Sequence, residues 1–452
     1  MTFLRCTLPL FLAVSLQAAE PAFEWVAAGG GVKNDKTRAV NVDAEGNVFL
    51  AGETTGEGSF GELKREALGT SDFFLAKVSP EGKFLWVRSL GGSLVDRGYG
   101  VVTDPTGNAY VTGHYQSTDA KALGQVLPNA GDYDIFVAKY GPDGDLLWIR
   151  TAGGAGYDYG HGIALDSKGH IVVSGALVGE SKFGDVVVNA GSKSRAVWWA
   201  KYDAQGSLMW VKTTSGKFSG SGHGIAVDGQ DNIYVGGSGS GAGQAGQVAL
   251  GSPTGQAAWV MKTAPDGEAV WASVIPGAPS AGFHEITVDA QGRVWGAGMF
   301  KEKLAFGIEV FATTGAKDSD GFLAHFSPEG KPQWCRVVQG PGVDYCLGVA
   351  TDGTGRAFVT GEFSATALMA GQKLVSQGAT DIYTAAFDSA GKLEWVYPNG
   401  GIKGDNAYSL VWRPGYLILG GATTGPSTFG EHPMNLSGAA EAHAAKFKLN
   451  SK

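Results

Sequence analysis

The stretch Phe74–Gly113, FLAKVSPEGKFLWVRSLGGSLVDRGYGVVTDPTGNAYVTG, decides the fold, because its parts return down the whole chain. Its plainest marker is a tryptophan with a glycine tail, Trp86-Val-Arg-Ser-Leu-Gly91-Gly92. Equivalent tryptophans stand at Trp25, Trp148, Trp210, Trp271, Trp334 and Trp395, at intervals of 61 to 63 residues. A period this regular is the mark of a repeat architecture in which each unit buries its neighbour.

Each repeat carries four strand signals. In the second repeat these are Val101–Thr103, Ala109–Thr112, Asp134–Tyr140 and Leu146–Arg150. The first two flank the turn Asp104-Pro-Thr-Gly107-Asn108, where Gly107 is free to adopt positive φ. A variable segment separates strands two and three. It centres on Leu123-Gly124 here, and on Phe60-Gly61, Phe183-Gly184, Phe306-Gly307 and Phe429-Gly430 elsewhere. Four antiparallel strands make one propeller blade. The seven repeats therefore predict an all-β, seven-bladed β-propeller forming one domain over residues 20–452. The ends fit closure of the ring. Phe23–Ala27 is a fourth strand with no blade before it, and Ala442–Leu449 is a third strand with no fourth after it. Pairing them completes the last blade and removes two open edges.

Composition narrows the class. The 452 residues include 72 glycines and only 17% charged residues, as short strands with Gly-rich turns require. The net charge of -8 and the lack of a basic cluster argue against a nucleic-acid partner. No apolar run reaches the roughly 20 residues of a membrane-spanning helix. Arg5, the apolar run Leu8–Leu16 and the small Ala18 and Ala19 read as a signal peptide over residues 1–19. The expected location is secreted, periplasmic or cell-surface, an oxidising setting. Cys335 and Cys346 would still sit at opposite radii of the ring. They are expected as two buried free thiols, with a disulfide as the alternative.

The motif D-x-F-x-A-K…P-x-G…W…G-G…D-x-G-x-x-I-A-V-D-x-x-G-N-x-Y-V-T-G resembles the bacterial seven-bladed β-propeller repeat family, the SBBP repeats. The resemblance runs over essentially the whole chain beyond the signal peptide. It is strongest in Asp72–Gly113 and Asp134–Gly175. It weakens in the last repeat, where Val411-Trp412-Arg413-Pro414 replaces the usual Val-Asp turn. It implies an exported or surface-associated propeller and no particular reaction.

Two residue series could carry chemistry. Five repeats start strand three with a carboxylate and place another at the entry to the next repeat. The pairs are Asp72/Asp96, Asp134/Asp158, Asp320/Asp344, Asp381/Asp405 and, through the closure, Glu441/Asp35. The remaining repeats lose both members together, as Ala196/Gly220 and Ala257/Ala281. Two adjacent carboxylates repel unless something satisfies them. Calcium with loop carbonyls is one solution. Capping of backbone N–H groups is the other, favoured because two carboxylates do not define a calcium site.

The second series lies five residues before the end of strand one: Arg38, Tyr99, His161, His223, His284, Leu347 and Tyr408. These residues are expected to face the central channel as a ligand or metal site, with inter-blade packing as the plain alternative. Three histidines in consecutive repeats make one sector differ from the rest. The marker tryptophans recur in every blade and read as packing. Trp198 and Trp199 must face opposite sides of one strand. No nucleophile elbow, zinc-protease or phosphate-cradling motif is present.

The sequence thus predicts a monomeric binding module for a protein or carbohydrate ligand. The ligand face carries the strand-four-to-one and strand-two-to-three loops. The alternative is a polysaccharide lyase or hydrolase working at the channel mouth. A third reading is a surface protein with calcium-stiffened loops.

Overall fold

The computed structural model describes residues 22–191, 195–315, 318–434 and 439–449, so the signal-peptide reading lies outside the described residues. Every described element is a strand or a connection between strands. The second repeat folds as an antiparallel sheet of Asp96–Thr103, Ala109–Tyr115, Asp134–Tyr140 and Leu146–Gly154. The other repeats follow the same order.

Two strands run longer than the sequence predicts. Strand one begins at Asp96 rather than Val101, because it passes through a β-bulge whose extra residue interrupts the alternation. Strand four runs on to Gly154 because another strand pairs with its glycine tail. That partner is the variable segment, which forms a hairpin laid on the outer strand of the preceding repeat. Lys121–Ala122 pairs with Leu90 and Gly91, and Glu180–Phe183 pairs with Ala152–Gly154. Equivalent contacts recur at Gly29–Gly31, Val338–Gln339 and Gly400–Gly401. The hairpins turn in two residues. Gly61, with φ of 60°, takes the first central position that such a turn needs.

The terminal strands meet as the sequence predicts. Ala22–Gly31 pairs antiparallel with Glu441–Lys448, which is itself the third strand of the last repeat.

The core is a set of apolar clusters, each between two sheets. Phe49, Phe73 and Trp86 of the first repeat meet Val111, Phe136 and Ile149 of the second. A further cluster joins Ile418 and Ala442 of the last repeat to Leu50 and Phe74 of the first. The marker tryptophans lie at these seams. Trp86 Nε1 donates to the Pro142 carbonyl at 2.9 Å, and Trp25, Trp148, Trp271 and Trp334 make the same bond one repeat on. The acceptor turn carries a glycine at positive φ. A Cβ on Gly206 would come within 2.9 Å of the Trp148 ring. Trp198 and Trp199 are fully buried in different clusters, on opposite faces of their strand. Cys335 and Cys346 are buried free thiols. They belong to clusters on opposite faces of the fifth repeat's sheet, which keeps them from pairing.

Candidate functional site

The channel series occupies one structural position. Each first strand carries a bulge, with register shifts between Thr37 and Ala39, Gly98 and Gly100, Gly160 and Gly162, Gly222 and Gly224, Phe283 and Glu285, Cys346 and Gly348, and Ala407 and Ser409. The skipped residues are Arg38, Tyr99, His161, His223, His284, Leu347 and Tyr408. A bulge re-aims one side chain out of the alternation. Here the re-aimed side chains line a single cavity of about 580 Å³.

Within it the rings form a belt. The Arg38 guanidinium lies 4.9 Å from the Tyr99 ring and 5.8 Å from the Tyr408 ring. Tyr99 stacks on His161 at 4.6 Å, His161 meets His223 tilted at 4.9 Å, and His223 stacks on His284 at 6.3 Å. Tyr345 follows His284 at 6.1 Å. Leu347 is buried at the remaining position.

Backbone contacts set the histidine chemistry. His161 Nδ1 donates to the His223 carbonyl, and His223 Nδ1 to the Phe283 carbonyl, each at 3.0 Å. A carbonyl oxygen only accepts, so the proton sits on Nδ1 and the free lone pair on Nε2. Burial, then the neighbouring charges, holds His161 well below the usual histidine range and His284 at about 4. Burial also lowers His223. The three rings are therefore neutral at neutral pH. Burial works against the Arg38 charge, but Glu53 outweighs it. Arg38 Nη2 donates to Glu53 Oε1 at 2.6 Å, and Nε pairs with Oε2.

One residue of the cavity escapes a reading by repeat position. Glu285 stands where four other repeats have Gly100, Gly162, Gly224 and Gly348. Burial raises its carboxyl to about 8, and Val349 N–H donates to Oε2 at 3.2 Å. The signal was a single acid in a column of glycines.

The carboxylate pairs also come together. The residues just before them form parallel bridges: Ser71 with Val95, Tyr133 with Tyr157, Ser319 with Val343, Thr380 with Gly404, and Asn34 with Ala440. A Cβ on Gly91 would lie 2.6 Å from Asp72 Oδ1 and 3.0 Å from Asp96 Oδ2, so the two carboxylates meet over the tail glycine. All ten side chains are buried.

Backbone donors hold the entry members. Asp96 accepts from Gly92 N–H at 2.9 Å and from Gln116 N–H at 3.0 Å. Asp35, Asp158, Asp344 and Asp405 accept N–H groups in the same way. Of the strand-three members, Asp134 accepts from Ala130 N–H and Asp381 from Gln377 N–H, each four residues earlier. Asp72 has the Arg65 guanidinium as well. Burial raises Asp35, Asp320 and Asp344 to about 7, and Asp134 and Asp405 to about 6. For Asp320, the Asp344 charge adds to burial. Among the described residues, no group of three or more His, Cys, Asp or Glu is placed to hold a metal ion. The N–H bonds leave Asp72 Oδ1, Asp134 Oδ1, both Asp320 oxygens, Asp344 Oδ2, Asp381 Oδ1 and Asp405 Oδ1 without a hydrogen-bond partner.

These features define a β-propeller repeat protein with a polar, ring-lined channel. Residues 85–114 match the SBBP β-propeller repeat. It is 29% identical over 184 residues to an uncharacterized WD repeat-containing protein of Acanthamoeba polyphaga mimivirus. That alignment covers 34% of this chain and 13% of the relative, so the chain spans a small part of the relative's length. Three solved structures resemble it at low scores. A protein of unknown function from Bacteroides caccae gives a TM-score of 0.37 at 11% identity, over 72% of this chain and 89% of that one. A puromycin hydrolase gives 0.42 at 11%, over 93% and 55%. A DUF4221 member from Bacteroides vulgatus gives 0.38 at 8%, over 96% and 99%.

Proposed function

We propose that the chain is an exported, monomeric, seven-bladed β-propeller that acts as a binding module, with its ligand seated at the channel mouth. The carrying observation is the set of seven bulges that turns side chains of four different types into one cavity. Packing alone would favour the same residue in every blade, as it does for the marker tryptophans. Support for a closed ring comes from the pairing of Ala22–Gly31 with Glu441–Lys448 and from the cluster between last and first repeats. Support for export comes from Arg5, Leu8–Leu16, Ala18 and Ala19. The WD repeat-containing relative fits an interaction module, whose partner would be a protein or a carbohydrate.

A second reading has an observation of its own. Glu285 and His284 are consecutive in the cavity, an acid held protonated beside an imidazole held neutral. Environments that push two titrating groups apart suit general acid–base work. A lyase or hydrolase acting on polysaccharide is the enzyme this arrangement would serve.

One experiment separates the two. The mature protein and the Glu285→Gln variant are incubated with a polysaccharide panel. Reducing ends and unsaturated uronate absorbance are followed, with retention on the same polymers. Binding without turnover in either protein supports the module. Turnover lost in Glu285→Gln overturns it in favour of the enzyme.

A further inference from the structure

The channel mouth departs from the repeat in one sector. Tyr133 and Tyr157, half-buried, form a tilted pair at 4.3 Å. The corresponding bridge positions elsewhere carry Ser71/Val95, Ser319/Val343 and Thr380/Gly404. Packing of the blade entry therefore does not require rings here. Tyr159 lies 5.8 Å from Tyr157, and the exposed Arg195 guanidinium stands 5.7 Å from both rings. Beneath them His114 is 1% exposed, and neither ring nitrogen has a hydrogen-bond partner. Its ring meets Tyr133 at 4.6 Å and Tyr99 at 5.3 Å. An aromatic ledge thus leads from the outer face through Tyr99 to the histidine arc.

The charges of this sector select a ligand. The arc offers Nε2 lone pairs on His161 and His223 and a third neutral ring at His284, which repel an anion and accept from O–H or N–H groups. Arg38, the cation nearest the arc, is already engaged by Glu53. Arg195 and Arg97 stand at the mouth, Arg97 with its Nε 4.0 Å from Glu53 Oε1 and without a hydrogen-bond partner, which disfavours a cation. A neutral molecule rich in hydroxyls meets all of these demands. Its O–H groups donate to the arc, its oxygens accept from Arg97, and its C–H face lies on the tyrosines.

We propose that the second to fifth repeats bind an uncharged sugar chain, its ring on the Tyr133–Tyr157 ledge and its hydroxyls on His161, His223 and His284. This rests on the reading of the channel mouth as the ligand site.

The test is calorimetric titration of the mature protein with oligosaccharides of one length and three charge states. The probes are neutral gluco-, manno- and xylo-oligosaccharides, an oligogalacturonate and a chitosan oligomer. The expected result is binding of a neutral probe that persists at high salt. Tyr133→Ala and His223→Phe should each weaken it roughly tenfold, about the worth of one hydrogen bond or ring contact. His223→Gln, which keeps an acceptor, should recover most of the loss. Binding of the charged probes only, or of none, overturns the sugar assignment. A peptide or protein ligand lost in His223→Phe would also overturn it while leaving the channel as the site. A neutral sugar that binds equally well to both variants overturns the channel site itself.

Discussion

Replacing Asp320 by asparagine should flatten the dependence of stability on pH. Neither Asp320 oxygen has a hydrogen-bond partner of normal geometry, and neither does Asp344 Oδ2. Both carboxyls are raised to about 7, by burial first. An acid whose pKa is higher folded than unfolded binds protons on folding in the window between the two values. That window runs from 3.8 to about 7. The stability contributed is complete below the unfolded value and is lost as pH rises through the folded one. The ceiling for a shift of this size is ~4 kcal/mol per group. Two groups sharing one proton, with some water access, reduce this to roughly 2 kcal/mol for the pair. Asparagine supplies an N–H to Asp344 at every pH. Urea unfolding followed by tryptophan fluorescence at about pH 5 and about pH 8 reads the effect. The wild type should lose stability over this range, and Asp320→Asn should lose roughly 2 kcal/mol less. Equal losses in both proteins, or a gain in wild-type stability with rising pH, would refute the shared-proton account.

Three further outcomes follow from the packing. Trp86→Phe removes the donor to the Pro142 carbonyl and should cost about 1 kcal/mol in the same unfolding assay. Gly91→Ala drives a Cβ to 2.6 Å from Asp72 Oδ1 and should cost about 1–3 kcal/mol, more than alanine at a solvent-facing site. Melting temperature should not change with excess calcium or with a chelator, because among the described residues no group of three or more His, Cys, Asp or Glu gathers around a pair; a calcium-dependent rise would restore the metal reading.

The repeat was legible because each blade makes the same contacts. Trp86 must reach the turn at Pro142, and its counterparts must do likewise, so the period is written in single residues. The carboxylate pairs were legible for the same reason: a topology that recurs from repeat to repeat puts positions 24 residues apart side by side. The docked hairpins were not. Lys121–Ala122 and Gln125–Val126 are two-residue strands, too short to show alternation, and their partner lies in another repeat. Nor was the cause of the channel lining, since a bulge depends on register rather than residue type. Arg65, which pairs with Asp72 Oδ2, sits in a variable insert with no counterpart to compare. Glu285 and the Tyr133–Tyr157 ledge are departures from the repeat. A reading that gathers what recurs passes over them.

Long-range proton–nitrogen NMR of the histidine side chains tests the neutral histidine arc directly. His161 and His223 should show the Nδ1–H tautomer at neutral pH and take up a proton only below the ordinary histidine value. Nε2–H tautomers, or protonation near the ordinary histidine value, would contradict the arc of uncharged acceptors and the ligand chemistry built on it.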